Sequence, residues 1–158
     1  MSQKKRRSWL EGPQIPAEFD GSDAQSRWPG EKIGLPQSGP GALASVMRRV
    51  GGVAIDWFMS LFIAGIITAF THQLGGLSTV TLIVFFILGI LSVWLFARTP
   101  GQLILSMGVA RIDAEARVGL WRAVVRTLLT CFIFPAIIVD SDGRGLHDRA
   151  TGTAVILG

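Results

Sequence analysis

The feature that most constrains this chain is a stretch of 48 residues, 50–97, that contains no lysine and no arginine. The 15 basic residues flank it, eight before and seven after, and Asp56 is the one acidic residue inside it. Only 16% of the 158 residues are charged, whereas about 25% is typical of soluble domains. This distribution excludes an ordinary soluble enzyme and predicts an integral membrane protein whose length fits one domain.

Two apolar segments inside this stretch, residues 50–71 and 79–97, are long enough to cross a bilayer. At 1.5 Å per residue, either one spans a hydrocarbon core of about 30 Å. Their connection, residues 72–78, contains no basic residue, whereas Arg49 and Arg98 flank the pair on the other side. The positive-inside rule therefore predicts a two-helix transmembrane hairpin in the bacterial cell membrane, with both ends and the N-terminus in the cytoplasm.

A third apolar segment, at residues 127–139, is too short for an ordinary span and contains Pro135. Runs of about 10–14 apolar residues are more often re-entrant, interfacial or buried than spanning. Basic residues lie on both sides of it, so a crossing would place one basic set outside the cell. The sequence favours a Pro-broken re-entrant segment over residues 122–139. The alternative is a tilted full span over the same residues, with Arg126 snorkelling.

The predicted fold class is therefore an all-α membrane protein, with a membrane domain over residues 42–158. Between the second span and the third segment, residues 103–120 partly alternate between apolar and polar. They predict a small cytoplasmic β-hairpin with its turn at 113–116, while a short interfacial helix over 101–108 is the alternative for the first half. The final stretch, 150–157, is expected to pack back on the helices.

Residues 1–41 form a separate tail that contains five of the seven prolines of the chain. Such a composition builds no core and is typical of a disordered cytoplasmic segment. The alternative is a docking segment that lays Trp9 and Trp28 on the surface of a partner protein.

Asp56 is the first candidate for a functional charge. An Asp at the centre of a membrane helix costs roughly 2.5–3.5 kcal/mol to insert, so it is normally paired or lines a polar path. Arg49 shares its helix face, but the two backbones lie about 10 Å apart along the axis, so we expect another partner. The candidate partners are Arg98, Arg122, Arg126 and His147. A structural salt bridge is favoured, and a protonatable carboxylate in an ion path is the alternative.

The predicted charge cluster is completed by the C-terminal charges. His147 and Asp148 make a weak catalytic pair, because adjacent residues do not face each other and no nucleophile lies nearby in the sequence. The cluster comprises Arg49, Asp56, Arg122, Arg126, His147 and Asp148.

The remaining residue counts exclude the common catalytic and metal sites. Cys131 is the only cysteine, so neither an intramolecular disulfide nor a cysteine metal cluster can form. His72 and His147 lack metalloprotease spacing, and no P-loop, G-x-S-x-G or G-x-G-x-x-G motif is present. We therefore predict no enzymatic activity, no cofactor and no metal. The pI of 10.2 reflects basic rims beside the lipid bilayer, and we predict no nucleic-acid binding.

Four motifs in order resemble those of the RDD family of small membrane proteins. The matches are Arg49 with Asp56, the turn Thr99-Pro100-Gly101, residues 109–113 and residues 145–153. The resemblance covers residues 45–157 and departs at 113–116, where the family often has a Gly-containing turn. It implies a membrane protein whose polar motif residues lie on the cytoplasmic side. Sodium/proton antiport has been proposed for some members.

Two functions from different classes fit these features. The favoured one is a non-catalytic accessory or assembly subunit of a larger membrane complex, for example a respiratory-chain complex, which docks through its tail and helices. The alternative is an ion or small-solute transporter that acts as an oligomer, with Asp56 as the coupling carboxylate. The subunit is favoured because two spans and a half-span enclose little lumen and no internal repeat is visible.

Overall fold

The computed structural model describes residues 26–112, 118–132 and 142–158. Trp9, the predicted turn at 113–116 and Pro135 lie outside the described residues. Re-entry or crossing by the third apolar segment therefore stays a prediction.

Two long apolar helices form a hairpin and confirm the predicted pair. Helix α1 spans Val46–Phe70 and helix α2 spans Leu77–Phe96, so each begins a few residues before its predicted span. Ser45 caps α1 by accepting a hydrogen bond from the backbone N–H of Arg48, as N-cap residues do. We call the end of the hairpin where α1 begins and α2 ends the base.

The two faces of α1 differ in the size of their side chains. Its buried face carries small residues, among them Gly52, Ser60 and Ala64, which let neighbouring backbones approach closely. Its opposite face exposes large apolar side chains such as Phe58 and Phe62. Both α1 and α2 are long and apolar enough to cross a membrane, and most of each lies unburied within the chain. This arrangement is that of candidate transmembrane helices.

A short helix follows α2 directly. Helix α3 spans Pro100–Ile104, and Pro100 occupies its first turn, where the missing N–H costs nothing. Thr99 and Gln102 form a capping box at its start. The short helix of the sequence prediction is present, and it ends before the strand begins.

A small antiparallel sheet corrects the predicted local hairpin. Strand β1, Met107–Arg111, pairs with strand β2, Thr153–Leu157, with Val109 opposite Val155. Its partner thus comes from the C-terminal stretch, and the all-α prediction is corrected to a mostly helical fold with one small sheet. Alternating apolar residues predict a strand, but they do not identify the strand it pairs with.

Two further helices complete the base. Helix α4 spans Leu120–Cys131 and packs on α2, where Gly89 leaves room for Thr127. Helix α5 spans Leu146–Thr151, contacts α4 and leads into β2. Two apolar clusters fill the base, and their buried members are Val93, Val109, Val118 and Ala123 in one, and Ala44, Met107 and Val155 in the other.

Residues 26–44 pack onto the base. Leu43 forms a bridge with Ile156, and the backbone of Ala44 donates a hydrogen bond of 2.8 Å to the carbonyl of Val155. Further back, the Gly30 N–H donates to the carbonyl of Asp142 at 3.0 Å. Part of the segment predicted as a tail is therefore built into the structure. The predicted domain boundary at residue 42 stays a prediction.

Candidate functional site

Asp56 is held by the turn that follows the second long helix. Its side chain is buried in α1, and its Oδ1 accepts a hydrogen bond of 2.7 Å from the backbone N–H of Gly101. The partner predicted among Arg98, Arg122, Arg126 and His147 is therefore wrong: the structure places the Thr99-Pro100-Gly101 turn there. A hydrogen bond from a backbone N–H to a carboxylate is charge-assisted and stabilises it without a neighbouring cation.

This contact requires two glycines. A Cβ on Gly101 would overlap the carbonyl oxygen of Gly52 and would lie 3.1 Å from Cγ of Asp56. A Cβ on Gly52 would lie 3.2 Å from Cε of Met107. The close approach of α3 to α1 thus depends on the absence of a side chain at both positions, and it brings the Gly101 N–H within reach of the carboxylate.

Asp148 is the centre of a second, fully buried cluster. One of its oxygens, Oδ1, pairs with Nη1 of Arg126, and His147 Nε2 lies 3.4 Å from the same oxygen. The other oxygen, Oδ2, lies 3.9 Å from Nη1 of Arg49. Thr153 donates a hydrogen bond of 3.3 Å to Oδ1. One carboxylate therefore joins α1, α4, α5 and β2.

Arg49 also fixes the loop before α5. Its Nη2 donates a hydrogen bond of 2.6 Å to the carbonyl of Gly143, which lies 94 residues further along the chain. Gly143 has a φ of 79°, a conformation that glycine adopts without strain. The first turn of α1 is therefore tied to the loop before α5 as well as to Asp148.

The two arginines influence each other. Burial lowers the pKa of Arg126 to about 9, and the positive charge of Arg49 adds to the effect. Arg126 lies outside the two long helices and still carries its charge at neutral pH. The pair therefore remains two guanidinium groups around one Asp148 carboxylate.

A cavity of about 540 Å³ joins the two clusters. Its walls come from α1, α2 and α4 and are mostly apolar, with Phe85 and Val93 among them. The side chains of Arg49, Asp56, Arg126 and His147 line it, together with the thiol of Cys131. Four of the six residues of the predicted cluster thus share one cavity, and Asp148 lies directly behind them.

Arg122 lies on another side of α4. Its Nη1 donates a hydrogen bond of 3.0 Å to the carbonyl of Thr151, and with Trp121 it lines a smaller pocket of about 290 Å³. It does not line the cavity that Arg49, Asp56, Arg126 and His147 share, and its predicted membership of the cluster stays a prediction. Within the described ranges, no group of three His, Cys, Asp or Glu residues could hold a metal ion.

Trp28 makes contacts inside its own chain. Its Nε1 donates a hydrogen bond of 3.0 Å to the carbonyl of Leu35, and the guanidinium of Arg27 lies 5.0 Å from the centre of its ring. The Trp28 side chain is half-buried, so only part of its surface could contact a partner. Its docking to a partner stays a prediction.

Sequence reasoning missed the roles of Thr99, Gly101 and Thr153 in these clusters. The signal for the first two was present, because Thr99 followed three residues later by Gln102 is the pattern of a capping box, and the helix that it begins follows the second span. No comparable local signal marks Thr153, since its contact with Asp148 depends on the pairing of β2.

Comparison with known proteins gives one match. Residues 43–152 match the model of the RDD family. Neither a curated protein nor a solved structure matches the chain.

Proposed function

This chain belongs to the RDD family, and on that premise we propose that it acts as a non-catalytic accessory or assembly subunit of a larger membrane complex. The base faces the cytoplasm in this proposal, as the flanking basic residues indicate. The chain contributes a membrane-anchored scaffold to which other subunits bind.

The observation that carries the proposal is the use of the motif charges inside the chain. Asp56 accepts its hydrogen bond from Gly101, and Asp148 pairs with Arg126. These contacts join distant parts of the chain and bury the groups that a reactive site would present. A scaffold needs such fixed contacts, whereas a hydrolytic site needs a nucleophile beside a base.

The base also presents large apolar side chains. Met47, Ile104 and Trp121 are 79%, 62% and 76% exposed. Exposed Trp and Met are typical of protein interfaces, so these residues are the first candidates for contact with partner subunits.

Purification from the native membrane in mild detergent tests the proposal. We expect other membrane proteins to co-purify in fixed ratio, and we expect deletion of residues 2–25, which contain Trp9, to reduce their recovery. This deletion keeps residues 26–44 and their contacts with the base. Recovery of the chain alone or as a homo-oligomer would contradict the proposal.

A transporter remains the second candidate, because Asp56 lines a cavity between the membrane helices. In that case Asp56→Asn, which keeps an acceptor oxygen for Gly101, abolishes cation-dependent proton flux in liposomes. His72→Gln, in the loop between α1 and α2, is the matched control. Unchanged flux in Asp56→Asn excludes Asp56 as the coupling group.

A further inference from the structure

The outer face of helix α4 carries two apolar side chains one turn apart, Leu128 and Phe132, which are 46% and 65% exposed. We propose that this outer face contacts the acyl chains of the leaflet that holds the base, and that α4 is a membrane-embedded helix whose end at Cys131 lies near the middle of the bilayer. The inference rests on α2 as a membrane span. It goes beyond the subunit proposal and does not depend on it.

Helix α4 runs along α2 in the opposite direction. Ala123 belongs to one apolar cluster with Val93, which lies three residues before the end of α2. One turn further along α4, Thr127 lies against Gly89, where an added Cβ would come within 2.7 Å of the Thr127 Cγ2. Four residues forward in α4 therefore correspond to four residues back in α2, and the two helices are antiparallel.

This alignment sets the depth of α4 in the bilayer. Gly89 lies seven residues before Phe96, so at 1.5 Å per residue Thr127 lies about 10 Å inside the end of α2. The same alignment places Phe132 at the level of residue 84, about 18 Å inside that end. Half of a hydrocarbon core of about 30 Å is about 15 Å, so the last turn of α4 lies near the midplane.

The polarity of α4 is the reverse of that of a helix on a water-soluble domain. Its buried face carries Arg126 and Thr127, whereas its exposed face carries Leu128 and Phe132. On a soluble domain, the charged side chain would point outward and the apolar side chains inward. In a membrane, ionisable side chains face the interior of the bundle and pair there, as Arg126 does with Asp148. The reversed pattern therefore favours hydrocarbon over water around the outer face.

Helix α2 exposes apolar side chains at the same depth. Ile87 and Ile83, which the alignment puts within one residue of the levels of Leu128 and Phe132, are both exposed. Two neighbouring helices thus present apolar surface at one level of the bilayer. Acyl chains that contact α2 at this level are within reach of α4.

Spin labels on engineered cysteines test the proposal. Cys131→Ala removes the only native cysteine, and Leu128→Cys or Phe132→Cys then places a label on the outer face. Both positions are exposed, so neither substitution opens a cavity in the core, and each label reports independently of the other. The labelled full chain is placed in phosphatidylcholine vesicles. Electron paramagnetic resonance then measures the collision rates of each label with oxygen and with a water-soluble nickel chelate.

The controls come from the same chain. Ile87→Cys and Ile83→Cys are the matched positions in α2, at the levels of the two α4 labels. Ser38→Cys, at an exposed position of the segment before α1, is the control in water. Oxygen concentrates in hydrocarbon, whereas the nickel chelate stays in water, so the ratio of the two collision rates increases with depth in the bilayer.

We expect this ratio to rise from Ser38→Cys to Leu128→Cys and again to Phe132→Cys, and to match the α2 control at each level. A ratio in α4 as low as that of Ser38→Cys would show water around the outer face and overturn the proposal. Low collision rates with both reagents would show that protein, such as a second copy of the chain, covers the outer face, and this result overturns it as well.

The α2 controls separate the premise from the inference. If Ile87→Cys and Ile83→Cys also collide mainly with the nickel chelate, α2 is not a membrane span and the proposal fails with its premise. A lipid signal in α2 together with a water signal in α4 contradicts the placement of α4 alone. Neither result bears on the subunit proposal, which co-purification tests.

Discussion

At the residue scale, Gly101 is the described glycine at which an added Cβ would make the closest contact. An added Cβ would overlap the Gly52 carbonyl oxygen and crowd the Asp56 carboxylate. We expect Gly101→Ala to destabilise the protein by at least about 1–3 kcal/mol, the usual cost of overpacking, because α3 must move away from α1. The measurement is the Tm in detergent, followed by tryptophan fluorescence.

Gly65→Ala is the matched control for this prediction. Gly65 also lies in α1, but a Cβ there would meet nothing within 4 Å. Replacing a helical glycine by alanine where space allows is neutral or stabilising by about 0.5–1 kcal/mol. Equal Tm values for Gly101→Ala and Gly65→Ala would show that the α1–α3 contact is looser than the structure has it.

Asp148 is the second position at which we expect a substitution to lower the stability strongly. Asp148→Asn removes the carboxylate that pairs with the buried Arg126 and lies 3.9 Å from Nη1 of Arg49. Removing one partner of a buried ion pair costs about 3–5 kcal/mol, so we expect poor folding or a much lower Tm. Denaturant unfolding or thermal unfolding in detergent measures the loss.

The exposed pair between Arg27 and Glu31 supplies the comparison for Asp148. Because solvent screens exposed ion pairs, Glu31→Gln is expected to leave the Tm unchanged. If Glu31→Gln lowers the Tm as much as Asp148→Asn does, the buried cluster contributes no more to the stability than an exposed ion pair.

The sequence grouped four charged or titratable residues that the structure brings together, but it did not identify their contacts. Arg49, Asp56, Arg126 and His147 line one cavity, and their shared role stays a prediction. The partner of Asp56 was predicted wrongly because helical spacing shows which residues share a face, but does not show what packs against that face. A backbone N–H is present at nearly every residue, so the capping-box pattern at Thr99 and Gln102 indicates the turn that contains Gly101 but does not show that its N–H meets Asp56.

At the scale of elements, the β1–β2 sheet is the contact that local reasoning placed wrongly. Val109 donates its N–H to the carbonyl of Ala97, and the carbonyl of Val155 accepts from the N–H of Ala44. The backbone N–H and C=O groups of Val109 and Val155 therefore point to the outer edges of the sheet and not toward each other. They form a non-hydrogen-bonded pair, in which Cα atoms are typically about 4.5 Å apart.

This geometry allows a crosslinking test. Pairs with Cα atoms about 4.4–6.8 Å apart accept a disulfide, so Val109→Cys with Val155→Cys should form one under mild oxidation, in a Cys131→Ala background. Peptide mass spectrometry detects the bond. A local hairpin with its turn at 113–116 would instead place Leu120 opposite Val109. The control pair, Val109→Cys with Leu120→Cys, should stay reduced, and the opposite outcome would restore the local hairpin.

The two long helices were predictable, and the sheet was not, for a physical reason. A membrane helix satisfies its backbone hydrogen bonds within itself, so length and hydropathy are sufficient to identify it. A strand needs a partner, and β2 lies far along the chain from β1. Alternation in residues 107–111 predicts the first strand, but pairing over this separation depends on how α4 and α5 fold between them.

At the scale of the whole molecule, residues 26–44 bind the base across distant parts of the sequence. The N–H of Gly30 donates to Asp142, and the N–H of Gly41 donates to Leu157 at 2.7 Å. The Gly41 bond, with the bonds of Ala42 and Ala44 to β2, covers the edge of β2 that faces away from β1. Composition predicted no structure here, because contacts made by backbone groups leave little trace in residue type.

Two deletions measure this contribution. Removal of residues 2–41 eliminates the hydrogen bonds from Gly30 to Asp142 and from Gly41 to Leu157, whereas removal of residues 2–25 keeps both. Each intramolecular hydrogen bond contributes about 0.5–1.5 kcal/mol, so the longer deletion should have the lower Tm, by at least about 2–4 °C for a chain of this size. Equal Tm values for the two deletions would show that residues 26–41 add nothing to the stability.

The separation of Asp56 from Gly101 also sets an order of events during synthesis. The two residues lie 45 positions apart, and Arg49 and Gly143 lie 94 apart. A ribosome that adds about 5–20 residues per second therefore leaves the Asp56 carboxylate without its partner for about 2–9 s. The hairpin closes on the turn first, and the C-terminal strand arrives last. A nascent chain interrupted between these events carries an uncompensated acid in a membrane helix, which makes the unfinished protein chemically distinct from the finished one.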